Sequence, residues 1–418
     1  MLDRPIAKPQ LDTWSPTLLD PPPSDIQSGL RDALHKFAAE VVRPTGRALD
    51  RMTPEEVIAP GSPFYAMHEQ YRAFGISQAA MAELPPQEAA LLQSMAYEEL
   101  GWGDAGLAIS IGVNGMPASV ARVIGAPEFA ERFPETKFGC WSITEPDHGS
   151  DMLDSTRQAF ALDGQYGGPS CVARRSGDDI VLSGQKSAWV SNGVIAEQAV
   201  LFCAYDDGKA GFRGCVLYVP LDAKGVSRGK PLDKLGQRAL PQGEMFFDNV
   251  KLPKDCLAAD PDEYHDALYA TLCLANSGMG SCFVGVARAA FEHALEYAHE
   301  RKQGGVPISQ HQNVRARLFG MYRKVEAARA LARRVAIHNA TAPVPALQGA
   351  IASKITGTQT AFEVASEAVQ IFGGAGVSRE YPIEKLLRDA RASMIEDGCN
   401  ELLAIKGGSQ LVRHERMN

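Results

Sequence analysis

The chain has 418 residues, 45% of them apolar and 22% charged, a balance that excludes wholesale disorder and suits roughly two to three domains. Its net charge of −8 argues against a nucleic-acid or anionic-membrane partner, both of which demand a basic face. The eight cysteines contain no CxxC pair and the nine histidines no HxxxH pair, so no metal site is expected and the thiols read as small core residues. No run approaches the roughly 20 apolar residues of a membrane span. Asp3 and Pro5 lie where a signal peptide would need an apolar stretch, so a cytoplasmic protein is expected.

Residues 1–24 hold Pro5, Pro9, Pro16 and Pro21 to Pro23 and read as an extended arm. From Ser24 the period becomes helical, with Leu30, Leu34, Phe37 and Val41 on one face, and helical signals continue to about 136. Short β-type runs follow at 138–143, 180–182, 188–191, 199–205, 215–219 and 245–250, separated by turns such as Asp206-Asp207-Gly208. So few helices interrupt them that an antiparallel barrel or sandwich is expected. Helical period then returns. One helix is expected at about 278–302, and Val314, Met321, Ala328 and Val335 repeat every seven, interleaved with Leu318, Val325 and Ala332. A further helix carries Leu347, Ile351, Ile355, Thr358, Phe362, Ala365, Val369 and Phe372. The predicted fold is α+β and multidomain: an arm (1–24), an N-terminal helical domain (25–136), a middle antiparallel β-barrel or sandwich (137–252) and a C-terminal four-helix bundle (253–418).

Four segments carry chemistry. Thr144-Glu145-Pro146-Asp147-His148-Gly149-Ser150-Asp151 follows a strand and is rich in backbone N–H groups and small hydroxyls, which suits a polar ring or a phosphate. In Lys186-Ser187-Ala188-Trp189-Val190-Ser191-Asn192-Gly193 the ordinary reading of the tryptophan is a core residue. Gln370-Ile371-Phe372-Gly373-Gly374-Ala375-Gly376 ends a helix with more glycines than a helix stop needs, and it follows no strand, so a Rossmann reading fails. Ile395-Glu396-Asp397-Gly398-Cys399-Asn400-Glu401 places adjacent carboxylates on a turn before the last helix, where simple dipole pairing is the plain alternative.

In this order the segments resemble the acyl-CoA dehydrogenase family of flavoproteins, from about residue 25 to 412. Further matches are Glu300-Arg301-Lys302-Gln303 with Gln312, and Tyr381-Pro382-Ile383-Glu384-Lys385-Leu386-Leu387-Arg388-Asp389-Ala390. The resemblance implies FAD as cofactor and an acyl-CoA substrate dehydrogenated between its α and β carbons. It implies electron-transfer flavoprotein as acceptor and a homodimer or homotetramer. Ile143, Thr144, Gly149 and Ser150 are expected along the flavin and its pyrophosphate, with Trp189 and Ser191 flanking the ring system. Arg301, Gln312, Gln370 and Gly374 are expected to hold the adenosine end across a subunit interface, and Cys399 and Glu401 to lie against the cofactor. Asp397, 27 positions after Gln370, matches the family's base, while the alternative base position maps to Ala275. Ser150, Asn276, Glu396 and Gly398 are the expected substrate neighbours.

The departures are informative. Asp is one methylene shorter than the family's usual Glu, Asn276 stands where an Arg is usual, and the stretch 152–179 is long. A long straight acyl chain is therefore disfavoured. A related flavin oxidase or monooxygenase reoxidised by O2 is the alternative, as is a non-catalytic subunit of a heteromer, against which Asp397 counts.

Overall fold

The computed structural model describes residues 24–153, 167–206, 208 and 213–413; the expected arm at 1–23 and the middle of the long 152–179 stretch lie outside these. Helix α1 (Asp25–Phe37) starts on a reciprocal cap. Gln27 N donates to Ser24 Oγ at 3.2 Å, and Ser24 N donates to Gln27 Oε1 at 3.0 Å. The N-terminal helices continue as α2 (Arg43–Leu49), α3 (Pro54–Ile58), α4 (Pro63–Arg72), α5 (Gln78–Ala82), α6 (Pro86–Gly103), α7 (Ala105–Asn114), α8 (Met116–Val123) and α9 (Glu128–Arg132). Proline within the first two positions of α3, α4, α6 and α8 fits a site where a backbone N–H has no helical partner, whereas α2 continues from α1 through a π-helical turn at Ala38–Val42.

The middle region is one eight-stranded sheet: β1 (Gly139–Ser142), β2 (Val172–Ser176), β3 (Asp179–Lys186), β4 (Gln198–Asp206), β5 (Arg213–Pro220), β6 (Val226–Arg228), β7 (Met245–Pro253) and β8 (Leu257–Ala259). The path runs β6-β7-β3-β2-β4-β5-β8, and β1 pairs with β4. Two expectations change here. The sheet is not purely antiparallel, because β4 pairs in parallel with β1 through Gln198–Leu201 and with β2 further along. Residues 188–191 form a turn rather than a strand: Val190 packs into the core of the sheet, and Ser191 makes an isolated bridge to Gln242 outside the strands. Buried Cys140, Cys171, Cys203, Cys215 and Cys256 fill the inner face as small apolar side chains, as their isolated spacing suggests.

The C-terminal region packs α10 (Tyr264–Glu300) against α11 (Gln312–Thr341) and α12 (Leu347–Phe372), with a small hairpin of β9 (Lys302–Gln303) and β10 (Val306–Pro307) between the first two. Helices α13 (Ile383–Ser393) and α14 (Asn400–Arg413) close against α12. The heptad seam is the core: Leu318, Met321, Val325, Ala328, Ala332 and Val335 are buried. Helix α10 starts well before the expected 278. It also corrects the reading of no membrane-length run, since one stretch of it is long and apolar enough to cross a bilayer. That stretch is 78% buried, for α10 is the central strut against which α6, α11 and α12 all pack.

Candidate active site

Three connections converge on one place: the loop after β1, the turn after β3 and the turn before α14. The first is nailed down by a buried ion pair. Lys186 Nζ donates to Glu145 Oε1 at 2.8 Å, with both side chains fully buried, and also to the carbonyls of Ile143 and Phe202. Glu145 Oε2 accepts from the backbone N–H groups of Ser170 and Cys171 and from Ser170 Oγ. Each carboxylate oxygen that burial strips of water thus has at least one donor, the condition for keeping a carboxylate inside a protein. At the exposed end Asp151 accepts from Gly149 N at 2.6 Å and bonds His148 Nδ1 at 2.6 Å, so the loop is closed at both ends.

The second connection is held by Asn192, whose backbone sits at φ +59°. Its amide donates to the Ser110 carbonyl, its oxygen accepts from Ser110 Oγ, and Ser110 Oγ in turn bonds the buried His68 ring. Burial drives the His68 pKa down to about 3, so this chain is neutral. The tight turn leaves Trp189 60% exposed, not in the core as its type suggests. Gln242 Nε2 donates to both the Trp189 carbonyl and Ser191 Oγ at 3.1 Å, which leaves the Ser191 hydroxyl proton free to point outward. Ser187 N donates to the Thr144 carbonyl at 3.0 Å, tying the first two connections together.

The third connection carries the carboxylates. Asp397 sits at φ +53°, a left-handed conformation that an aspartate adopts more readily than most residues. Gly398 follows at φ +88°, where a Cβ would come within 2.9 Å of Leu153. Lys354, buried on α12, donates to the Gly398 carbonyl at 2.9 Å and to Asn400 Oδ1 at 2.8 Å, and Asn400 also bonds Thr358. Cys399 N donates to Ser150 Oγ at 3.3 Å, joining this turn to the first loop.

The two neighbouring carboxylates part company. Asp397 lines a chamber of about 50 Å³ together with Trp141, Ala275, Gly278 and Cys282. Burial raises its pKa above the ordinary carboxylate range, while the nearby Lys354 ammonium pulls the other way. Glu396 instead accepts from Gln237 Nε2 at 2.5 Å, and burial, then the adjacent Asp397, lift its pKa to about 7. Burial also lowers Lys354 to about 8, against the pull of Asp397.

Of the expected site residues, Ile143, Thr144, Gly149, Ser150, Trp189, Ser191, Asp397, Gly398 and Cys399 belong to this cluster. Glu396 lies beside it but does not line the chamber, and Glu401 is exposed on the first turn of α14. Asn276 is fully buried and donates back to the Leu272 carbonyl of its own helix at 3.0 Å, while its Oδ1 has no partner among the described residues; Leu274, Ala275, Gly278 and Met279 are the α10 residues that line the chamber. Arg301, Gln312, Gln370 and Gly374 gather elsewhere. All four are exposed near one end of the bundle, where Tyr297 stacks on Phe372 at 4.0 Å. Gln370 is about 24 Å along α12 from Lys354 at 1.5 Å per residue.

Sequence reading missed Lys186, Lys354, Gln237 and Gln242. The available signal was a lysine inside an otherwise apolar helix or at the end of an alternating strand, positions that bury a charge only when partners wait there.

Residues 140–250 match the acyl-CoA dehydrogenase middle domain, and residues 270–410 match the acyl-CoA dehydrogenase C-terminal domain. The chain is 30% identical over 332 residues to the mitochondrial short-chain specific acyl-CoA dehydrogenase of Rattus norvegicus, covering 78% of this chain and 77% of that protein. It is 27% identical to the short-chain specific acyl-CoA dehydrogenase of Megasphaera elsdenii over 93% of this chain and 99% of that one. The solved butyryl-CoA dehydrogenase of Megasphaera elsdenii superposes with a TM-score of 0.81 at 26% identity, over 94% of this chain and all of that one. The chain belongs to the acyl-CoA dehydrogenase family of FAD-dependent oxidoreductases.

Proposed function

We propose that the protein dehydrogenates a short or compact acyl-CoA thioester to its α,β-enoyl form, with Asp397 as the base that removes the α-proton. The observation that carries this reading is the Asp397 carboxylate at the wall of an apolar chamber, on the turn that Cys399 ties to the loop after β1.

The residues present fit FAD. A tryptophan left 60% exposed beside a serine whose hydroxyl proton is free offers a ring face and a donor. Gly373 ends α12 at φ +60°, a conformation that favours glycine, whereas Gly374 has an ordinary backbone and nothing within 4 Å of a Cβ built on it, which leaves room there for close approach of a ligand. Arg301 is exposed and pairs with no carboxylate among the described residues, which leaves its fork for a phosphate. When bound, FAD supplies the acceptor for the hydride that leaves the substrate's β-carbon.

The chain's own groups do the rest. The Asp397 carboxylate accepts the α-proton; burial raises its basicity, and Lys354 keeps the turn in place. Ala275 also lines the chamber and offers no competing base. The distance of Arg301, Gln312, Gln370 and Gly374 from the catalytic turn supports their serving the cofactor of a second copy, in a homodimer or homotetramer, with electron-transfer flavoprotein as acceptor.

Anaerobic mixing of the yellow holoenzyme with a panel of acyl-CoAs tests the reading, with flavin bleaching as the signal. Bleaching by short acyl-CoAs is expected; no bleaching by any of them refutes it, and rapid reoxidation by air alone moves the protein to the oxidase class. Arg301→Ala is expected to weaken FAD retention about tenfold or more, the scale of a charge-assisted hydrogen bond at 1.5–3 kcal/mol, and to leave the rate of bleaching in FAD-saturated enzyme unchanged. Retention is measured by flavin content after gel filtration.

A further inference from the structure

Behind the chamber that Asp397 lines, the protein holds two larger ones. One, of about 490 Å³, lies among α5, α6, α8, α10 and α11; small or apolar groups such as Ala89, Ala90, Ala270 and Leu274 make most of its wall, with Gln93, Arg122 and Asn339 also lining it. The other, of about 210 Å³, has a polar wall that includes His68, Asn114 and Glu135. Tyr97 lines all three chambers.

Its ring is set there by two glycines. A Cβ at Gly112 on α7 would stand 3.0 Å from Tyr97 Oη, and a Cβ at Gly278 on α10 would stand 3.5 Å from Tyr97 Cε2. The phenol therefore occupies space that side chains on both neighbouring helices leave open. Met81 and Gln93 join the two outer chambers to each other; Leu274 and Gly278 continue the wall from the Asp397 chamber into the large apolar one.

We propose that Tyr97 is the residue that sets acyl length in this enzyme: its ring partitions the cavity, confines the acyl group to the small chamber beside Asp397, and shuts it out of the large apolar chamber behind. This deepens the acyl-CoA reading above and rests on it. Burial, with Cys282, Glu135 and Asp397 near, pushes the Tyr97 hydroxyl up to about 12, so the partition is a neutral ring across the working pH range.

The test is binding, not turnover. S-alkyl-CoA thioethers lack the carbonyl that acidifies the α-proton, so holoenzyme binds them without reacting, and calorimetry reads their affinity from ethyl to dodecyl. Wild type is expected to gain affinity over the first few carbons and to level off by hexyl. In Tyr97→Ala the gain is expected to continue to octyl at roughly fourfold per methylene, the worth of burying each one. Tyr97→Phe keeps the ring and is expected to keep the wild-type profile. Tyr97→Leu, a gentler truncation, serves if the alanine variant does not fold, and is expected to extend the range by a smaller increment.

A wild-type affinity that climbs at that slope to dodecyl overturns the proposal with no variant needed, as does a Tyr97→Ala profile that superposes on wild type. Failure of every thioether to bind, short or long, takes down the acyl-CoA reading itself and this inference with it, an outcome distinct from a misplaced length limit.

Discussion

Replacing Asp397 with asparagine is expected to slow reduction of the bound flavin by acyl-CoA about 10²–10⁴-fold, the range over which a positioned general base contributes. FAD content is expected to be unchanged, since the amide keeps the shape of the turn and Asp397 makes none of the bonds that hold it. Those bonds run from Lys354 to the Gly398 carbonyl and from Cys399 to Ser150. Stopped-flow bleaching under anaerobic conditions measures the effect. Glu396→Gln is the control, because that carboxylate is bonded to Gln237 and lies off the chamber wall. If Glu396→Gln abolished bleaching while Asp397→Asn retained it, the assignment of the base would be wrong by one residue.

The pH dependence has a definite sign. Asp397 acts only when ionised, so the bleaching rate rises with pH through its pKa, which burial places above the ordinary carboxylate range. Lys354 opposes that shift, so Lys354→Met is expected to move the rising limb to higher pH, whereas Lys354→Arg keeps the charge and moves it less. The same burial costs stability: a carboxylate whose folded pKa is raised stabilises the fold when protonated, and that contribution is lost as pH climbs through the folded value. For Glu396 the loss begins near the ordinary carboxylate value of 4.5 and is complete once the pH has passed about 7.

Lys186→Met is the substitution with the largest expected effect on the fold, about 3–5 kcal/mol in denaturant unfolding, because it strands the Glu145 carboxylate in the interior without its cation. Both side chains have no exposure, so water cannot take over. The ammonium also bridges the carbonyls of Ile143 and Phe202, and thus staples the first loop to β4. FAD retention is expected to fall along with stability. Adding Glu145→Leu is expected to recover part of the loss by removing the uncompensated charge. Recovery stays incomplete, because Ser170 N, Ser170 Oγ and Cys171 N then lose their acceptor. A Lys186→Met protein as stable as wild type would show that Glu145 needs no cation.

By itself the sequence determined the order of helix, sheet and helix, the buried seam of α11, the start of α1 at its Ser24 cap and the segments that meet at the site. Each of these is a local property: a period of 3.6 or 2, a cap, or a motif read along the chain. The choice of Asp397 over Glu396 as base rests on the resemblance to the family, and the tertiary structure places one carboxylate at the chamber wall and ties its neighbour to Gln237. What only the tertiary structure decided depends on contacts between residues far apart in the chain. The parallel pairing of β4, the outward turn of Trp189, the burial of Asn276 and the ring of Tyr97 between Gly112 and Gly278 have no local signature. Nor do the buried partners of Lys186 and Lys354, for a lysine reads as a surface residue until the fold brings a carboxylate or a row of carbonyls to it.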